Sequence, residues 1–217
     1  MHAQPSQRDP FSQTGVSRPS QSSGSQVPGR IFVARHAATA WSKVGRHTGR
    51  TDLPLEPDAE DDARALGARL AGLRPALVLA SPLQRASETC RLAGFGDQME
   101  TTEVLLEMDY GQYEGLTTAQ IREERPSWDL FVDGCPGGET IEDVGERAEL
   151  LIERLQTDSS LAGGDVFLFA HGHILRAFTA RWLGLPAREG RHLALGAARF
   201  GWLDWEHEWS VLAGWNL

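Results

Sequence analysis

Val166-Phe167-Leu168-Phe169-Ala170 runs directly into His171-Gly172-His173, and Ile31-Phe32-Val33-Ala34 runs in the same way into Arg35-His36-Ala37-Ala38-Thr39-Ala40-Trp41. Each apolar run reads as a buried strand, and each delivers a histidine where the strand stops. In an open α/β sheet, ligands and chemistry sit outside the carboxyl ends of the strands. The two segments therefore have the means to bring imidazoles to one pocket, which points to an enzyme.

From Gly29 onward, strand-like runs alternate with helical periodicity, the pattern of an α/β domain with a largely parallel sheet. Residues 30–35 form the first strand. Ala63, Leu66, Leu70 and Leu73 then recur at helical spacing, and residues 76–80 are a second strand. Ser81-Pro82 reads as an N-cap followed by proline at the first helical position, opening a helix to about Leu92. A third strand is expected over 101–106. Thr140 with Asp143 resembles a capping box, and Ile141, Val144, Ala148, Leu151 and Leu155 follow on one face. That helix feeds the 165–170 strand. A helix from about Gly172 carries Ile174, Leu175, Phe178 and Trp182 and stops at Gly184 and Pro186. Two final strands are expected within 193–213.

Composition narrows the function. The chain has 217 residues, is 41% hydrophobic and carries a formal net charge of −9. That suffices for one good core and leaves no basic footprint for nucleic acid or an acidic membrane surface. An anionic substrate would need a local cluster of arginines. Cys90 and Cys135 form neither a CxxC nor a disulfide framework, which suits a reducing compartment. No apolar run approaches the roughly 20 residues of a membrane span, and no signal peptide opens the chain. These readings together give a cytoplasmic protein. Residues 1–29, rich in Ser, Gln, Pro and Gly, are expected to be a disordered tail, and residues 30–217 the domain.

Taken singly, the polar candidates are weak. A histidine after a strand is often a satisfied structural residue, and His171-Gly172-His173 reads equally as a polar strand-to-helix turn. Its glycine, however, lets a backbone approach a ligand, and the helix beyond it offers N–H groups to an anion. Arg85 stands one turn into the Ser81 helix, where an exposed arginine is usually only solvated. Glu107 precedes the glycine-punctuated loop Met108-Asp109-Tyr110-Gly111-Gln112-Tyr113-Glu114-Gly115. Together, two arginines, two strand-end histidines and a loop carboxylate make the set needed to bind a phosphate dianion, attack it with imidazole and protonate the leaving oxygen.

The same residues carry a resemblance. RHAATAWSKVGRHTGRTDLPL, from Arg35, is similar to the RHG signature region of the histidine phosphatase superfamily, which includes the phosphoglycerate mutases. SPLQRASET, EMDYGQYEG and FAHGHILR resemble its later signatures, in order, from about Arg30 to the C-terminus. The DGCPGGET segment and the HGH form resemble phosphatase branches, among them actinobacterial acid phosphatases and fungal sedoheptulose bisphosphatases. The resemblance implies His36 as the nucleophile that becomes phosphohistidine. Arg35, Arg85 and His171 would bind the phosphoryl oxygens, and Glu107 would act as general acid and then base. It also implies that Ser42, Thr48, Gly49 and Gly172 contact substrate, with His173 and His47 as pocket walls, and it implies neither metal nor cofactor. Two positions depart from it. Ala37 replaces the glycine after the nucleophile, where a methyl is expected either to crowd the phosphate or to demand a shifted loop, and Ser42 replaces the asparagine of typical mutases.

The resulting expectation is a three-layer α/β/α sandwich with a mixed, mostly parallel sheet, acting as a metal-independent phosphomonoester hydrolase on small phosphate esters. The rivals are a 2,3-bisphosphoglycerate-dependent phosphoglycerate mutase and a catalytically impaired protein that only binds a phosphorylated ligand. Between Leu116 and Thr140 the chain offers only Arg122 and Arg125 against five acidic residues, which favours the phosphatase. Trp128, Phe131 and Arg122 are candidates for the pocket entrance, or else core contacts of a short helix. The natural substrate and the oligomeric state, a homo-oligomer included, stay open.

Overall fold

β1 (Ile31–Arg35) is a central strand and is apolar on both faces because both are covered. It pairs in parallel with β4 (Asp165–Ala170), from Ile31 opposite Val166 to Arg35 opposite Ala170. β4 pairs in parallel with β2 (Pro75–Ala80), and β2 with the short β3 (Met99–Thr101). On the other side of β1, β5 (Phe200–Glu206) and β6 (Trp209–Gly214) add antiparallel strands. The six-stranded order is β3-β2-β4-β1-β5-β6, a mixed and mostly parallel sheet as expected. The computed structural model describes residues 27–217.

Helices cover both faces. Phe32, Phe167 and Phe169 point to one side, where they meet Leu66 and Leu70 of α2 (Ala59–Leu70) and Cys90 of α3 (Gln84–Leu92), the helices being preceded by α1 (Ala40–Lys43). Ring pairs knit this layer, Phe32 to Phe167 at 4.8 Å and Phe95 to Phe167 at 4.9 Å between centroids. Val33, Val166 and Leu168 point to the other side. There they pack with α6 (Ile141–Thr157) and α7 (Gly172–Trp182), which follow α4 (Thr118–Glu124) and α5 (Leu130–Asp133). Each large apolar side chain buried in these layers contributes about 1.5–3 kcal/mol. Thr140 and Asp143 form the expected reciprocal capping box. No helix among the described residues is long and apolar enough to cross a membrane.

Several element boundaries differ from the sequence reading. The strand expected over 101–106 is only Met99–Thr101, followed by a 3₁₀ turn at Glu103–Leu105. The helix expected to be capped by Ser81 starts at Gln84; the Ser81 hydroxyl meets His171 at 2.8 Å and keeps only a long contact, 3.4 Å, with the Leu83 N–H. The closing hairpin begins at Phe200. Of the expected disordered tail, residues 1–26 lie outside the described residues. The chain's pairing already begins before Arg30: the Gly29 N–H donates to the Gly164 carbonyl at 2.8 Å, the Val27 carbonyl accepts from Gly163 at 3.1 Å, and Pro28 bridges Ala162.

Candidate active site

Sheet register assembles the site. The ladder of β1 and β4 continues one residue past both strands, with the His36 N–H on the Ala170 carbonyl at 2.9 Å. β2 continues likewise, with the Ser81 N–H on the Phe169 carbonyl at 2.9 Å. His36, His171 and Ser81 therefore stand side by side at the carboxyl edge, and the two imidazoles are 5.2 Å apart between centroids.

A cavity of about 260 Å³ opens over this edge, lined by Arg35, His36, Ser42, Arg46, His47, Thr48, Glu107, Tyr110, Gly172, His173 and Arg176, among others. That is room for a small metabolite. The His36 Nδ1 lies 2.7 Å from the Ala37 carbonyl. A carbonyl only accepts, so Nδ1 carries the proton and Nε2 keeps its lone pair. Burial, with Arg35 and Arg85 nearby, lowers the His36 pKa to about 3, so the ring is neutral at any ordinary pH.

Arg35 anchors one end of its guanidinium on the Leu195 carbonyl at 2.7 Å, while its Nε is buried with no partner. A buried orphan donor is costly, by about 1–3 kcal/mol, unless a ligand satisfies it. The position a Cβ would take on Gly172 is 3.5 Å from the Arg35 Cζ and 3.7 Å from the Glu107 Oε2. Glycine leaves that space, between guanidinium and carboxylate, free for a ligand.

Glu107 is almost fully buried. Its Oε1 accepts the N–H groups of Met108 at 2.9 Å and Ile174 at 3.0 Å, and its Oε2 accepts that of His173 at 3.0 Å. Burial pushes the carboxyl up, but hydrogen bonding at His173 outweighs it and holds the group well below the usual carboxylate range. Glu107 thus serves as the side-chain cap that His171 does not supply to α7. The N–H groups of His173 and Ile174, expected from the sequence to be open to an anion, are engaged by Glu107. The Gly172 N–H, which the helix itself cannot use, belongs to a cavity-lining residue.

Arg85 and His171 are completely buried behind His36 and do not line the cavity. The Arg85 Nε–H donates to the His171 Nδ1 at 3.1 Å, and its other nitrogens donate to the carbonyls of Thr48, Gly49 and Thr51 at 2.8–3.0 Å. The His171 Nδ1 is therefore an acceptor, and Nε2–H donates to the Ser81 hydroxyl at 2.8 Å. Burial and the Arg85 charge hold His171 neutral, well below its ordinary pKa.

The expected substrate contacts divide. Ser42, Thr48, Gly172 and His173 reach the cavity, and His47 is one of its walls. Gly49 does not: its N–H is bound by both carboxylate oxygens of Glu114 at 2.9 and 3.0 Å. A Cβ there would stand 2.5 Å from the Met108 carbonyl oxygen, so this glycine serves packing. The Ser42 hydroxyl also closes the capping box of α1 with Thr39. Trp128 and Phe131 are buried core contacts of α5 rather than an entrance, and Arg122 donates to the Trp128 carbonyl at 2.9 Å. Arg46, Tyr110 and Arg176 line the cavity without having been expected. Arg176 was within reach of sequence reasoning, since it follows Gly172 by one helical turn and so shares its face.

The model of the histidine phosphatase superfamily (branch 1) matches residues 31–217. An acid phosphatase of Mycobacterium tuberculosis is 39% identical over 180 residues, covering 82% of this chain and 87% of the relative. The sedoheptulose 1,7-bisphosphatase of Saccharomyces cerevisiae is 35% identical over 188 residues, 74% of this chain and 69% of the relative. A solved structure of a Mycobacterium tuberculosis open reading frame superposes with a TM-score of 0.81 at 40% identity, covering 87% of this chain and 97% of that one. With the sheet order, the strand-end histidines and this match over nearly all of its described length, the chain belongs to the histidine phosphatase superfamily.

Proposed function

We propose that this chain is a metal-independent phosphomonoester hydrolase for small phosphorylated metabolites, sugar phosphates or bisphosphates, working through a phosphohistidine. The observation that carries the reading is the state of His36: neutral, held by Nδ1, with the Nε2 lone pair free in a ring that lines the cavity. Arg35, with its orphan Nε, and the Gly172 N–H receive the phosphoryl oxygens. Arg85 and His171 act from behind, fixing the loop carbonyls at 48–51 and the electrostatics around His36.

His36 Nε2 attacks phosphorus as the bond to the leaving oxygen breaks, and that oxygen takes a proton from Glu107. Water then attacks the phosphohistidine, its proton passes to the Glu107 carboxylate, the N–P bond breaks and inorganic phosphate leaves. In the free protein Glu107 is a carboxylate. A phosphate ester with its second pKa near 6 brings the missing proton when it enters as the monoanion, which supports an acidic to neutral optimum.

Support for a substrate with a second anionic group comes from Arg46 and Arg176. Both line the cavity, and neither meets a carboxylate within 4.0 Å among the described residues. Arg176 is held by the Gly190 and Arg191 carbonyls at 2.9 and 3.0 Å and over the Phe131 ring, which position its charge without neutralising it; in a chain of net charge −9, two such cations at one cavity favour an anionic occupant. The yeast relative's name, a bisphosphatase, fits this reading. Arg122 and Arg125, the arginines of the 116–140 segment, do not line the cavity; Arg122 donates to the Trp128 carbonyl and Arg125 is held by Tyr113 and Asp133, which weighs against a mutase-like carboxylate clamp there.

The test is His36→Ala with p-nitrophenyl phosphate and a hexose bisphosphate, EDTA present. Turnover is expected to vanish, and the wild type, quenched with labelled substrate, to yield an acid-labile, base-stable phosphoprotein. A variant that keeps more than a few per cent of wild-type kcat removes His36 as nucleophile.

A further inference from the structure

Tyr110 and His173 meet at the cavity wall, and the catalytic scheme above uses neither side chain. The Tyr110 hydroxyl lies 2.6 Å from the His173 Nδ1, and the phenol is buried. Burial, with Glu107 nearby, pushes the phenol well above its usual pKa of 10.0, so it stays protonated. A buried O–H needs an acceptor, and Nδ1 is within reach. As the acceptor, His173 Nδ1 is bare and Nε2 carries the hydrogen.

The neighbouring carboxylate makes this choice matter. Glu107 Oε2, the oxygen left with a single backbone donor, lies 3.6 Å from the same Nδ1. Were Nδ1 the protonated nitrogen, the ring could close on Oε2 and occupy the lone pair that must serve the leaving oxygen. Packing keeps the ring upright for the other arrangement: Phe131 stands 5.5 Å from it and Tyr110, edge-on, 5.7 Å between centroids.

We propose that Tyr110 is a positioning residue acting through His173, fixing the tautomer whose Nε2–H donates into the cavity to a hydroxyl of an alkyl, polyol-type leaving group while Glu107 Oε2 stays open. The assignment rests on the hydrolase reading and narrows it. Alkyl esters need both the proton from Glu107 and the hydroxyl contact; aryl phosphates, with good leaving groups, need neither.

The experiment compares wild type, Tyr110→Phe, His173→Asn and the double variant on a hexose phosphate and on p-nitrophenyl phosphate. Each single variant is expected to lose about tenfold in kcat/KM on the sugar ester, the scale of one hydrogen bond, and to stay within about threefold on the aryl ester. The double variant is expected to be no worse than His173→Asn, because a residue acting only through another adds nothing once that partner is gone. Equal losses on both esters, an additive loss in the double variant, or no loss at all would overturn the proposal. A second readout is independent of turnover. In the free wild type, ¹⁵N shifts of His173 should show protonated Nε2 and bare Nδ1, and in Tyr110→Phe a mixture of tautomers; a wild-type spectrum with protonated Nδ1 refutes the lock. A wild type inert on both esters removes the hydrolase reading, while the spectrum still decides the tautomer.

Discussion

Ala37, the residue after the candidate nucleophile, is completely buried and packs with Ala59 and Ala63 rather than facing the cavity. It is not among the residues with positive φ, so its backbone makes no demand for glycine. Its N–H donates to Thr89 Oγ1 at 3.0 Å and its carbonyl holds His36 Nδ1. The methyl therefore fills the layer beneath the loop and does not crowd the phosphate. Ala37→Gly is expected to bring no gain in kcat/KM and to cost about 1 kcal/mol through backbone entropy and lost packing, a fall in Tm of about 2–4 °C. Thermal unfolding with parallel kinetics checks this, and a clear rise in kcat/KM would revive crowding. At this scale the placing of Arg35, His36 and His171 at one sheet edge was legible because β1 and β4 can be read from their apolar runs; Glu107 was singled out by the resemblance of its motif, since the strand expected before it is only Met99–Thr101. Tyr110 and Arg46 were not, because their directions are set by the 3₁₀ turn at Gly111–Tyr113 and by the loop after α1.

Among the elements, β1, β4 and the helices α2, α6 and α7 were readable from their periods. α1, α4 and α5, of four, seven and four residues, are too short to show one. Ser81 is the instructive misreading. Serine before proline is a strong helix-start signal, yet here α3 begins three residues later, at Gln84, and the hydroxyl accepts from His171 Nε2–H. The tertiary contact, at 2.8 Å, is the shorter one, and the local contact to the Leu83 N–H is stretched to 3.4 Å. Ser81→Ala should therefore leave the far-ultraviolet circular dichroism unchanged and lower kcat about tenfold, since a buried hydrogen bond of roughly 1–1.5 kcal/mol that orients His171 is lost. A loss of helix signal with unchanged kcat would return Ser81 to the role of a cap.

For the whole molecule, the site makes stability depend on pH. His36 and His47 have pKa values lowered from 6.5 to about 3 and about 4, mainly by burial, and His171 is lowered as well. Below pH 6.5 the unfolded chain takes up protons that the folded one refuses, so stability falls as pH falls, until the folded values are passed. Each such histidine contributes a slope of about 1.4 kcal/mol per pH unit inside its window. Glu107, held below its ordinary value of 4.5, adds a further loss once the pH drops under that value. The sequence could place the histidines but not this penalty, which depends on the burial that β1, β4 and their covering helices create. Urea unfolding at pH 7 and pH 5 is expected to show a marked loss at the lower pH, reduced in His36→Gln by about the share of one histidine. Inorganic phosphate, binding only the folded chain, should oppose the loss. A midpoint unchanged between pH 7 and pH 5 in the absence of phosphate would mean that these imidazoles open to water and accept protons in the folded protein, and the proposal of a neutral, pre-formed His36 nucleophile would fall with them.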